Sequence, residues 1–140
     1  MKLRITSNRL IEEVQHEFNN AFPYLKLEFF QHKAKLKDQA LFALNNVLPH
    51  HKRIGECQAN DAEGLLEINE AMKVSELERK LKDQFGLNAQ VFRHSGSLWL
   101  QTTMTDNWTL QKQNEHGMEL SHPDKKPLID EAANDEASYD

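Results

Sequence analysis

The sequence predicts a small α+β domain. Three observations carry that reading. Apolar residues recur every three or four positions over 11–22 and again over 74–85, the period of a helix with one buried face. Short runs at 2–6, 24–30, 89–94 and 98–103 alternate or are apolar enough for strands. Turn residues punctuate the runs and keep each one short.

Taken in order, Leu3 and Ile5 alternate with Lys2, Arg4 and Thr6, a half-buried first strand. Ser7 or Asn8 can cap the helix that follows, whose apolar face is Leu10, Ile11, Val14, Phe18, Ala21 and Phe22. Pro23 ends it, because the residue before a proline is pushed out of helical geometry. Residues 24–30 form the second strand, with Leu25, Leu27 and Phe29 on one face. A right-handed β-α-β crossover then makes the first two strands parallel. Residues 31–52 read as a basic insert or linker with some helical tendency.

The next block reads as a β-grasp-like β-β-α-β-β unit. Residues 53–58 and 65–69 flank the turn-rich Asn60-Asp61-Ala62-Glu63-Gly64, as in a hairpin. Ser75 caps a helix with face Val74, Leu77, Leu81 and Phe85, with Glu78 completing a capping box and Gly86 ending it. Residues 89–94 and 98–103 form a hairpin through Ser95-Gly96-Ser97. Asp106 caps a short helix over 109–116 that Gly117 closes. The expected architecture is a small mixed sheet with two packed amphipathic helices and a short C-terminal helix. The helix faces also echo each other at an offset of 63, Ile11, Val14, Phe18 and Phe22 against Val74, Leu77, Leu81 and Phe85. Duplicated halves would make the sheet ferredoxin-like instead. Two helices obeying one period would produce the same echo.

Phe22-Pro23-Tyr24-Leu25-Lys26-Leu27-Glu28-Phe29-Phe30, Gly55-Glu56-Cys57, Phe85-Gly86-Leu87-Asn88-Ala89-Gln90-Val91-Phe92-Arg93-His94-Ser95-Gly96 and Thr105-Asp106-Asn107-Trp108-Thr109-Leu110-Gln111-Lys112-Gln113-Asn114 together resemble a family of small uncharacterised bacterial proteins. The resemblance runs over 1–117 apart from the basic insert. It implies one shared domain at 1–117 followed by a separate tail at 118–140. It implies no activity and transfers no site residues.

Composition narrows the function classes. The 140 residues carry a net charge of −5, and the longest apolar runs reach four or five residues, far short of the roughly 20 a membrane-spanning helix needs. The N-terminus alternates like a strand and lacks the apolar stretch of a signal peptide. A single cysteine makes no internal disulfide, so the expected location is the cytoplasm. Charge is unevenly placed: 26–53 carries +4 (six basic against two acidic), and 121–140 carries −4 (two basic against six acidic). The tail has too little apolar surface to offset its ordering entropy and reads as disordered.

No catalytic constellation is written in the chain. His50, His51 and Cys57 lack metal-ligand spacing, and His116 and His122 make no better case, so no metal and no cofactor are expected. Cys57 lies in an expected strand and reads as a small buried hydrophobe; activating it would need His51 or Arg53, both near in sequence, to face it across the pleat. The candidate partner-binding residues are Trp99, Trp108, Asp106 and Arg93, around the hydroxyl-rich corner at 102–107. The alternative core reading turns Trp99 inward and has Trp108 hold the last helix on the sheet. These features favour a non-catalytic protein-interaction or regulatory domain whose sheet edge accepts a peptide. The alternative is a nucleic-acid-binding domain in which Lys33, Lys35, Lys37, Lys52 and Arg53 meet phosphates. The overall negative charge opposes that alternative.

Overall fold

A computed structural model describes residues 1–31 and 47–122. Among the described residues the chain is α+β, with five strands in two sheets and four helices. Strand β1 (Lys2–Ile5) leads into helix α1 (Ile11–Ala21), and strand β2 (Leu25–Phe30) follows. Helix α2 (Ile54–Cys57), strand β3 (Gly64–Glu67) and helix α3 (Val74–Phe85) come next. Strands β4 (Asn88–Ser95) and β5 (Leu98–Gln101), a 3-10 turn at Thr103–Thr105 and helix α4 (Leu110–Ser121) complete it.

The expected parallel β1–β2 pair does not form. Instead β1 pairs antiparallel with β3, and β2 lies in a separate antiparallel sheet of order β2-β4-β5. Burial explains the choice. Strand β1 is exposed at every second residue and suits β3, which is exposed except at Leu66. From Leu27 to Phe30 β2 is buried on both faces, and β4 is the strand with matching burial.

The expected hairpin over 53–69 is also absent. Ile54 and Cys57 are both buried at a three-residue spacing, and the segment coils into the single turn of α2. The Glu56 carboxylate accepts the Arg53 N–H at 2.9 Å, which holds that carboxyl below its usual range. A Cβ on Gly55 would lie 2.9 Å from Ser7 Cβ, so only glycine lets α2 approach the first turn this closely. Residues 58–63 then run as a loop past the end of α3. Gln58 Nε2 donates to Phe85 O at 2.9 Å and to Ala62 O at 2.8 Å, and Ala59 N–H donates to Gly86 O at 2.8 Å. The chain is therefore neither β-grasp-like nor ferredoxin-like in its sheet.

The offset of 63 is a property of the fold. Leu3 pairs with Leu66, its own counterpart (66 − 3 = 63). In the other ladder Leu25 pairs with Arg93 and Phe30 with Asn88, and the same shift exchanges those two pairs. Helix entries repeat as well. Ile11 N–H donates to Lys52 O at 2.8 Å and Ile54 N–H to Arg9 O at 2.8 Å. In the second half Val74 N–H donates to Trp108 O at 3.0 Å and Leu110 N–H to Met72 O at 2.8 Å. Two β-α-β units thus face each other about a pseudo-two-fold axis. They share one core, to which both halves contribute Leu3, Ile11, Phe18 and Leu27 with Leu66, Val74, Leu81 and Val91.

Three cap assignments also change. Leu10 is the N-cap of α1, its N–H held by the Glu13 carboxylate at 2.8 Å, in place of Ser7 or Asn8. Lys73 precedes α3, and Ser75 N–H donates to Asp106 O at 2.8 Å, so no capping box joins Ser75 to Glu78. Thr109, not Asp106, caps α4 by accepting Lys112 N–H at 3.1 Å. Nor does α4 stop at Gly117: it runs on to Ser121.

Candidate functional site

Of the residues singled out from the sequence, Arg93 and Trp108 come together, whereas Trp99 lies on the opposite face of the sheet. His94 lies opposite Trp99 in the β4–β5 ladder, and Arg93 lies opposite Leu100. Side chains of neighbouring strand residues point to opposite faces. Trp99 is therefore on the outer face, half-buried, with its ring 4.8 Å from His94 and Lys26 Nζ 4.9 Å from its centroid. It does not turn into the main core. Arg93 is buried on the inner face and donates to Gln113 Oε1 at 3.0 Å. Trp108 lies along α4, with the Arg93 guanidinium 6.0 Å and Lys112 Nζ 4.0 Å from its ring centroid. His116 meets the same ring edge-on at 5.6 Å. Trp108 thus holds α4 to the sheet, and the Asp106 carbonyl serves the entry of α3.

The basic stretch is partly occupied within the molecule. Lys52 lies 3.5 Å from Glu56, and Arg53 donates to the Asn8 carbonyl at 2.5 Å. Lys26 lies 3.0 Å from Glu28, a carboxylate that His50 approaches at 3.2 Å. Lys33, Lys35 and Lys37 fall outside the described residues, as does most of the expected tail.

What the sequence did not reveal is how unequally the two edges of the larger sheet are finished. His94 N–H donates to Tyr24 O at 2.9 Å, so even-numbered residues of β4 face β2 and odd-numbered ones face β5. On β2 the outward carbonyls are consequently those of Leu25, Leu27 and Phe29. Each is capped: Leu25 O by Asn19 Nδ2 at 2.8 Å, Leu27 O by Gln15 Nε2 at 2.6 Å and Phe29 O by Leu48 N–H at 2.8 Å. On β5, Leu98 and Leu100 turn their backbone groups toward β4, and Trp99 and Gln101 turn theirs outward. Among the described residues those outward groups receive no backbone partner.

The borders of β5 match this difference. Leu98 is 63% exposed, Leu100 42% and Met104 94%. Gly96, with φ of 63°, makes the tight turn before the strand. After Gln101 the strand leaves the ladder. The Thr102 hydroxyl donates to Val91 O at 2.8 Å, and Val91 N–H turns to Glu78 Oε2 at 2.9 Å. Burial pushes the Glu78 carboxyl up to about 7 even with that N–H on it, and Asp106 adds to the rise. A carboxylate from α3 thus fills the place where β5 would have continued.

Other chemistry is sparse among the described residues. No group of three His, Cys, Asp or Glu side chains is placed to hold a metal ion. Cys57 is buried, its Sγ 3.2 Å from Ile54 O, and burial pushes its thiol up to about 11. Such a thiol is a poor nucleophile. Ser121 Oγ lies 2.9 Å from His94 Nδ1, and among the described residues no carboxylate hydrogen-bonds that imidazole. No described helix is long and apolar enough to cross a membrane. In comparisons with known proteins, no family model, no curated sequence and no solved structure matches this chain.

Proposed function

We propose that this chain is a protein-interaction domain that accepts an extended segment of a partner along β5. One observation carries the reading: β2 is closed by Asn19, Gln15 and Leu48, whereas among the described residues nothing pairs with the outward backbone of β5 beside exposed Leu98 and Leu100. Uncapped edges are templates for strand addition, and proteins commonly block the ones they do not use. Main-chain pairing to Trp99 and Gln101 supplies affinity, and an apolar residue opposite the two leucines supplies selectivity. The buried, weakly acidic Cys57 fits a reducing cytoplasm.

Selection of extended peptides from a display library against the full chain tests the reading. Bound peptides should slow hydrogen exchange at the Trp99 and Gln101 amides. Replacing Leu98 and Leu100 together by Lys should weaken them at least about tenfold, a loss of about 1.4 kcal/mol. Peptides that protect another surface, or none selected at all, would refute it. Binding through an edge should also change little with salt, whereas phosphate contacts weaken steeply. Affinity for single-stranded nucleic acid that collapses with salt would favour the alternative built on Lys33, Lys35 and Lys37.

A further inference from the structure

We infer that the partner β5 is best built to receive is a second copy of this chain, joined β5 to β5 in an antiparallel, two-fold symmetric sheet. The inference rests on the proposal that β5 is an accepting edge, and it names the occupant.

Register comes first. A strand that pairs with its own copy does so about a two-fold axis, and the outward backbone groups decide where that axis passes. With the axis at Trp99, the two Trp99 residues exchange N–H···O bonds and Gln101 of each copy lies opposite Ser97 of the other. Leu98 of one copy then faces Leu100 of the other, twice, on the side where both are exposed. An axis at Leu100 would set Leu98 against Thr102 and keep one leucine pair. An axis at Gln101 would set Leu100 against Thr102 and keep none. Cross-strand apolar pairs are the unit of sheet stability, so the Trp99-centred register is favoured.

Charge points the same way. The chain as a whole carries −5 and repels its own kind, yet residues 95–105 hold no charged side chain. Within the strand itself two copies bring no like charges together, and the nearest cation, Lys26 over the Trp99 ring, is already paired with Glu28 at 3.0 Å. Size sets the strength. The exposed parts of Leu98, Leu100 and Met104 sum to on the order of 400 Å², the size of the largest apolar patch on a typical monomer. That is about half of what one side of a standard interface buries, roughly 800 Å². Strand backbones and the flanking Ser97 and Thr103 add to it. The expected product is a concentration-dependent dimer with a six-stranded sheet, dissociating in the micromolar range.

Sedimentation equilibrium of the full chain from about 1 µM to about 1 mM, a range bracketing that expectation, tests the inference beside hydrogen exchange at both ends of the range. The expected result is a monomer–dimer equilibrium in which the Trp99 and Gln101 amides become protected as dimer forms. Leu98→Lys with Leu100→Lys should shift the equilibrium toward monomer at least tenfold, with an unchanged circular dichroism spectrum showing that the fold survives. Leu65→Lys, an equally exposed leucine on the other sheet, should leave it unchanged. A monomer throughout the range would overturn the inference, as would a dimer unmoved by the β5 variant or one that protects other amides. If selected peptides still protect Trp99 and Gln101 on a strictly monomeric chain, the accepting edge stands and only its occupant was misnamed. If neither peptides nor a second copy protect those amides, both readings fall.

Discussion

Glu78 shows how far a single side chain departs from what its position in the sequence suggests. Three residues after Ser75 it has the spacing of a capping box, yet its carboxylate reaches across to the Val91 N–H at 2.9 Å. Folding moves its carboxyl from the ordinary 4.5 up to about 7, with burial as the main cause. Between those values the unfolded chain releases a proton that the native chain keeps, so stability falls as pH rises through the window and is flat above it. The raised value corresponds to a loss of at most about 3 kcal/mol across the window. Glu78→Gln keeps an acceptor for Val91 and removes the titration. Urea unfolding at pH 5 and pH 8 should show the wild type losing stability over that step, beyond any drift shared with the variant. Equal slopes in both proteins would show that Glu78 is not the titrating group. Cys57 offers a second check at this scale. With its thiol pushed up to about 11 and buried, it should react with a disulfide reagent at pH 8 only as fast as the chain opens. Rapid labelling of the native protein would contradict the burial.

At the scale of elements, periodicity served the two long helices well and served turns and caps poorly. The faces of α1 and α3 lie as their spacing implies, with Val14, Phe18, Leu77 and Leu81 fully buried. Gly86 ends α3 at φ of 62°, as a left-handed cap should. Gly117 is the instructive failure. Near the end of a helical pattern a glycine reads as a stop, but here it lies inside α4. Its role is close approach: a Cβ there would meet Tyr24 Cβ at 2.8 Å and both Arg93 Cγ and His94 O at 3.1 Å. That contact joins residues distant in the chain, so no local pattern announces it. Alanine is the better helix former by about 1 kcal/mol. Gly117→Ala should nevertheless destabilise the protein, by about 1–2 kcal/mol net of that gain, because α4 must move off the sheet. Gly96→Asn, with nothing within 4 Å and a φ that asparagine tolerates, should cost less than about 1 kcal/mol. Thermal unfolding of both variants checks the order, and a stabilised Gly117→Ala would refute the contact. The open β5 edge was illegible for a similar reason. Its candidate aromatics, Trp99 and Trp108, are conspicuous in sequence but belong to opposite faces. The decisive contrast lies in Asn19 and Gln15, ordinary polar positions on α1 that close β2.

For the molecule as a whole, the repeat at 63 makes a mechanical argument. Gln15 and Glu78 occupy equivalent places (78 − 15 = 63), one capping β2 and the other the buried stretch of β4 that β5 does not reach. Only the second unit adds a described hairpin strand outside its central strand, and that asymmetry leaves β5 as an edge. The halves are otherwise interlocked. The β1–β3 and β2–β4 ladders each take one strand from each half, and the core residues of both halves form one cluster. Neither half can bury its apolar face without the other, so unfolding should be a single cooperative step. Both tryptophans lie in the second half, while α1 lies in the first. Denaturation followed by tryptophan fluorescence should therefore coincide with denaturation followed by a probe attached on α1. Leu3 and Leu66 test the axis itself, since each is buried and each is the other's partner. Leu3→Ala and Leu66→Ala should each cost about 2–4 kcal/mol. The double variant should cost less than their sum by at least about 0.5 kcal/mol, because the second truncation opens into a cavity the first has already made. Strict additivity, or an α1 transition separated from the fluorescence transition, would mean that the two units fold independently and that the shared core does not couple them.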